Sequence, residues 1–275
     1  MTTIEEVLEG ARRCVLALPS RSGPLLSPMA FWFDGAAVWL STSEEAVKAR
    51  LLAREPSCTV YVPAPDGGGG VVARGLARVH SLDDPVGLAL HAPTVSAAMT
   101  ALAVKERGAI GHYLRDLPVV PRTWLPQRRV AVRVVLSDPV WRAAPTPGPG
   151  VAPGLPSVVP ADVRRAVAGR RAVVAAAGRA DVEVAPAVWS AGFALDVAAP
   201  EAGGEGEAPF TVDGTPLAVV VDDDGGRPSQ VRGLALRGTV RDGALAPERV
   251  TWWRGFEAHT ADVPAPDDDV LTLPD

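Results

Sequence analysis

Arg12-Arg13-Cys14-Val15-Leu16-Ala17 returns as Arg170-Arg171-Ala172-Val173-Val174-Ala175, an offset of 158 positions (12 to 170). The same spacing carries Pro28 onto Pro186 and Asp66-Gly67-Gly68 onto Asp224-Gly225-Gly226. It also carries Arg74-Gly75-Leu76-Ala77 onto Arg232-Gly233-Leu234-Ala235. Four matches at one gapless offset predict an internal duplication, and a repeated unit decides the fold before any single element does. Between the copies, residues 143–160 read AAPTPGPGVAPGLPSVVP, with six prolines and three glycines. Such a stretch cannot hold a helix or donate a full sheet ladder, so it reads as an extended linker. The expected organisation is copy one over 1–142, the linker over 143–160, a degenerate copy two over 161–263 and an acidic tail over 264–275.

Within copy one the runs Cys14–Leu18, Leu25–Phe33, Ala37–Ser41, Cys58–Val62 and Val71–His80 are rich in Val, Leu and aromatic residues. Turn signals part them, among them Asp34-Gly35, the strongest short hairpin signal. Thr3-x-x-Glu6 is a capping box ahead of a short helix carrying Ile4, Val7, Leu8 and Ala11 on one face. Thr42-x-x-Glu45 reads as a second capping box, opening a helix over 44–54. Helical patterns over 94–107 and 111–114 precede a last strand, Arg129–Leu136. Short strands, frequent turns and few helices predict a mainly β protein with short helices, built as two small barrels in tandem.

Composition narrows the function classes. The 275 residues are 47% hydrophobic and carry a net charge of -5, enough apolar chain for real cores and no basic field for nucleic acid. No apolar run reaches the ~18–20 residues that span a bilayer, and MTTIEEVLEGARR lacks the apolar core of a signal peptide. Cys14 and Cys58 sit in apolar runs and read as reduced, buried thiols. A cytoplasmic protein without membrane or nucleic-acid partners is expected. His80, His91, His112 and His259 are scattered, with no HExxH and no zinc-spaced Cys/His set, so no metal site is expected. There is no GxSxG elbow or Walker loop, and no acid–base pair stands out as catalytic.

The ordered set Gly23-Pro24-Leu25-Leu26-Ser27-Pro28-Met29-Ala30-Phe31-Trp32-Phe33-Asp34-Gly35, Val38-Trp39-Leu40-Ser41-Thr42, Lys48-Ala49-Arg50-Leu51-Leu52 and Val72-Ala73-Arg74-Gly75-Leu76-Ala77 resembles the pyridoxamine 5'-phosphate oxidase-like, FMN-binding split-barrel family. The resemblance implies tandem split β-barrels related by duplication, the two copies standing as an intrachain pseudo-dimer, with further homodimerisation open. It implies an FMN-binding oxidoreductase acting on a small organic substrate. The region Pro126–Val130 through Asp138–Trp141 does not reproduce the substrate signature of true pyridoxamine-phosphate oxidases, which argues against vitamin B6 oxidation. The deazaflavin F420 is the alternative cofactor, with Lys48, Arg50, Arg54, Arg12 and Arg13 available to its acidic tail. Haem is a remoter one, and a non-catalytic binding or regulatory barrel is the competing class.

A flavin phosphate needs hydroxyl and amide donors with one or two cations, and helix N-termini favour anions. Ser41, Thr42 and Ser43 lie where a strand hands over to a helix, and Lys48 and Arg50 follow. The resemblance puts the phosphate there and lays the ring along Pro28, Met29, Ala30 and Phe31, with Phe31 or Trp32 as its wall. The plainer reading has Thr42 capping its helix, Lys48 and Arg50 solvated and the aromatics in the barrel core. Convergence of Ser41, Thr42 and Lys48 in a cleft of copy one would separate the enzyme readings from the non-catalytic barrel. In copy two these positions become Ala199, Pro200 and Gly206, so one phosphate site per chain is expected. Trp189, Trp252, Trp253 and Arg254 are then either a partner wall or core.

Overall fold

The computed structural model describes residues 3–81, 85–105, 129–146, 148, 150–197, 209–223, 230–255 and 257–264. The first half opens with helix α1 (Ile4–Gly10), where the predicted box is complete: Thr3 N donates to Glu6 Oε2 at 2.7 Å and Glu6 N to Thr3 Oγ1 at 3.2 Å. Strands β1 (Arg13–Leu18), β2 (Leu25–Phe33) and β3 (Ala37–Ser43) follow, then α2 (Val47–Arg54), β4 (Ser57–Pro63), β5 (Gly69–His80), α3 (Pro85–Lys105) and β6 (Arg129–Ala143). The six strands close into a barrel in the order β1-β2-β3-β6-β5-β4. At the β2–β3 turn, Asp34 Oδ1 accepts from Ala36 N and Ala37 N, and Gly35 takes φ +91°, which only glycine adopts without strain.

The second half runs α4 (Ala161–Val167), β7 (Ala172–Ala177), β8 (Glu183–Trp189), β9 (Leu195–Val197), β10 (Pro216–Asp223), β11 (Arg232–Arg241), β12 (Ala244–Arg254) and β13 (Glu257–Asp262). Its pairings β7-β8-β9 and β7-β10-β11-β12 repeat those of β1-β2-β3 and β1-β4-β5-β6. Pro28 lies opposite Val15, and Pro186 opposite Val174, so the register has moved by one residue between the halves. Where β3 pairs with β6 from Ala37 to Ser43, the described residues of the second half show one bridge, Ala194 to Ala244, and β13 takes that edge of β12 over Arg249–Arg254. Residues 200–210, PEAGGEGEAPF, which stand where copy one has its Thr42–Lys48 segment, lie almost wholly outside the described residues, as do the Asp224–Gly226 turn, the 111–114 helix and the tail beyond Pro264.

Strand alternation sorts the core. Cys14, Leu16 and Leu18 of β1, Met29 and Phe31 of β2, and Val38 and Leu40 of β3 fill the barrel, closed at its ends by Val7 and Leu8 of α1 and Leu52 of α2. The opposite faces are apolar too. Val15, Ala17, Leu26, Tyr61 and Val72 pack against Val184, Ala218, Val220 and Ala235 of the second sheet as one buried cluster. Thr59 Oγ1 donates to Val182 O across this contact at 3.1 Å, and Arg13 pairs with Asp222, which also accepts from Trp253 Nε1. Gly233 admits the Trp253 ring, since a Cβ there would stand 2.3 Å from it. α3 lies on the barrel's outside, where Ala98, Val95 and Met99 cover Trp39, Trp32 and Ala131.

Two local expectations change. The second helix begins at Val47 with no side-chain cap, because Thr42 is still strand and its side chain is buried. The linker is also more than a spacer. Val159 is fully buried, and Ala152 and Leu155 pack on the second core.

Ala218 is fully buried in the contact between the halves. Ala218→Asp places an unpaired charge there and is expected to cost more than ~3 kcal/mol in chemical denaturation. Leu76→Lys, at a side chain 62% exposed, should stay within about 0.5 kcal/mol of wild type.

Candidate functional site

β2 and β3 pair only over Phe31–Phe33 against Leu40–Val38. Upstream, Leu25–Ala30 remains paired to β1 alone, and beyond Leu40 the residues Ser41–Ser43 pair only with β6. The barrel is therefore split between these strands, and each bank offers one backbone edge outside the ladder. The two sequence-predicted segments, Pro28–Phe31 and Ser41–Ser43, form the two banks.

Alternation divides the predicted side chains between the faces. Met29 and Phe31 point into the barrel core, as does buried Thr42, while Pro28, Ala30, Ser41 and Ser43 lie on the other face. Ser41 and Thr42 thus do not converge as a pair. Lys48, in the first turn of α2, donates from Nζ to Ser27 Oγ on β2 at 2.7 Å. Arg50 and Arg54 are exposed one helical turn apart, whereas Arg13 is committed to Asp222. Among the copy-two candidates, Trp189 is buried core and Trp253 belongs to the contact between the halves. Trp252 stacks on His259, and Arg254 pairs with Asp162 and Glu257.

Arg129 is the functional candidate that the sequence reading passed over. Standing at the start of β6 opposite Ser43, it grips Ser41 twice, Nε to Oγ at 2.9 Å and Nη2 to the carbonyl oxygen at 2.7 Å. Nothing local to Arg129 announces this; the partner lies 88 residues away and is supplied by strand pairing. Ser27 did carry a signal, as a hydroxyl in the otherwise apolar inward series Leu25, Met29, Phe31 and Phe33. Lys105 is a third cation, at the end of α3, with Nζ 4.5 Å above the Phe31 ring and donating to Glu9 O. His80 and His91 also come together, rings 5.4 Å apart, with His80 stacked on Trp39, and His112 lies outside the described residues. Among the described residues no cluster of His, Cys, Asp and Glu is set to hold a metal.

The electrostatics single out Lys48. Burial, reinforced by the nearby Arg129 charge and opposed slightly by Cys14, brings its ammonium down from 10.5 to about 8. No carboxylate contacts Lys48 among the described residues. A buried cation beside a second cation, held by one neutral hydroxyl, is costly without an anion. Burial also raises the Cys14 and Cys58 thiols to about 12, which leaves them inert as nucleophiles.

Residues 2–111 match the family model described as pyridoxamine 5'-phosphate oxidase. Solved structures similar to the chain include an FAD-binding protein from Mesorhizobium loti, 19% identical, with TM-score 0.38 over 52% of this chain and 93% of that one. An F420 reductase is 22% identical, with TM-score 0.35 over 50% and 94%. The haem storage protein of Vibrio cholerae is 14% identical, with TM-score 0.33 over 49% and 88%. No curated protein sequence matches. Residues 2–111, which hold β1–β5 of the barrel, are the part of the chain that is similar to the pyridoxamine 5'-phosphate oxidase family. No helix among the described residues is long and apolar enough to cross a membrane.

Because the folded state disfavours the Lys48 charge, the penalty stands in full below about pH 8 and is relieved as pH climbs towards 10.5. Wild-type stability should therefore gain over that window relative to Lys48→Met. At pH 7 Lys48→Met is expected to be the more stable protein, by roughly 1–3 kcal/mol in urea titrations.

Proposed function

We propose that the chain binds a phosphate-bearing flavin, FMN, at the split between β2 and β3, and acts as an oxidoreductase on a small organic substrate. The observation that carries this reading is the placement of two cations, one on each bank of the split: Lys48 on Ser27 and Arg129 on Ser41. Their charges suit a phosphate, and the Ser41 and Ser43 hydroxyls supply further donors. In this reading Ser41 orients the Arg129 guanidinium, and Lys48 turns from Ser27 to the phosphate. The unpaired backbone edge at Pro28–Ala30 reads the polar rim of the ring. FMN, when bound, supplies the hydride or electron transfer, and the protein's contribution is binding and orientation. Domain boundaries near 142 and 160 follow, with the second sheet standing in an intrachain pseudo-dimer where a partner barrel would stand. The two free, buried cysteines suit a cytoplasmic setting.

The deazaflavin F420 is the second reading, favoured by exposed Arg50 and Arg54 side by side on α2, which fit an acidic tail. Titration of the purified protein into FMN and F420, followed by cofactor fluorescence, separates the two. Saturable FMN binding should weaken ~10–100-fold in Arg129→Met and in Lys48→Met. F420 binding that also weakens in Arg50→Glu moves the assignment to the deazaflavin. Wild-type protein that binds neither would overturn the reading and leave a non-catalytic barrel, and variants that bind as wild type would overturn the placement of the phosphate at the split.

A further inference from the structure

The second half contains a cavity beside Trp189. Trp189 and Phe31 occupy the same station in their sheets: Phe31 N donates to Arg12 O at 3.2 Å, and Trp189 N to Arg171 O at 3.0 Å. Over Phe31 stands Lys105, brought there by α3, its ammonium 4.5 Å from the ring and bonded to the end of α1. The second half has no such helix, because β11 and β12 are joined by the tight turn at Asp242-Gly243. Linker residues Val151–Leu155 lie there instead and leave a cavity of about 360 Å³. That volume is at the lower end of pockets that hold small ligands.

Leu155, Val167, Trp189 and Val221 give the cavity apolar walls, and Arg164 of α4 and Arg170, the latter paired with Asp223, give it cations. Arg164 Nε is buried without a hydrogen-bond partner, and the residue makes no ion pair among the described residues. The neighbouring acid, Asp162, is turned to Arg232 and Arg254 instead. The Arg164 side chain lines the cavity with no acid paired to it among the described residues, and a cation among indole and aliphatic walls suits an anion with an apolar body.

We propose that this cavity is a second binding site, for a small apolar carboxylate, with Arg164 holding the carboxylate and the Trp189 side receiving the apolar body. It is independent of the flavin reading, since none of its residues belongs to the barrel.

Ligand-observed NMR titration with benzoate, and with benzamide as its neutral counterpart, tests it on the full chain. Benzoate should bind saturably below about 10 mM, with benzamide tenfold weaker or more. Arg164→Met should bring benzoate to the benzamide level. Leu155→Trp, which fills the cavity without touching the arginine, should abolish both while the cofactor titration of the barrel stays as in wild type. Circular dichroism establishes that both variants fold. Absence of benzoate binding, equal affinity for the two probes, or benzoate binding that survives either substitution would overturn the proposal.

Discussion

Val15, Ala17 and Leu26 face away from the barrel interior, and against them lie Val184, Ala218 and Val220 of the second sheet. That contact is the condition on which the rest of the molecule stands. β1, β2, β4 and β5 are apolar on both faces, so the barrel alone would leave one wall of Val, Leu and Tyr side chains in water. A patch of that kind is rarely left open in a stable monomeric fold. The second sheet covers it with the strands that occupy the same places in its own order. Polar links fasten the seam: Thr59 on Val182 O, and the chain of Arg13, Asp222 and Trp253. Among the described residues of the second sheet β9 is short, β13 takes an edge of β12, and the interior is completed by α4 and the proline-rich segment.

The first sheet, by contrast, keeps a closed barrel with one deliberate gap. β2 and β3 part after three paired residues, and the cations Lys48 and Arg129 stand on either side. Holding Lys48 there costs stability, as its depressed pKa shows. On the proposed reading, an anion bound at the split is what an ammonium in that place is kept for, and the chemistry belongs to the bound group, with the barrel as its holder.

Much of this was legible in the sequence where the cause is local or repeated. The Thr3–Glu6 box, the Asp34-Gly35 turn and the 158-residue echo of Arg12–Ala17 each depend on a few neighbouring residues or on direct comparison of the halves. Segments Pro28–Phe31 and Ser41–Ser43, where the resemblance implies the cofactor, flank the split. The side chains within them were harder to assign. Thr42 looked like a helix cap because its spacing to Glu45 suits one, but β3 runs two residues past the expected Ser41, to Ser43, and turns Thr42 inward. Arg129 became a site residue only through β3–β6 pairing, a contact across 88 positions that no local pattern encodes. The packing of Val159 and Leu155 was hidden for a similar reason: proline content speaks to backbone freedom, not to what a linker touches.

The most direct test is the visible absorption spectrum of the purified full-length protein, with mass spectrometry of whatever heat releases from it. The account predicts a yellow protein, or one that turns yellow on incubation with FMN, releasing one FMN per chain. A protein that stays colourless after incubation with FMN and with F420 would contradict it, leaving the barrel and its buried lysine without the anion that explains them.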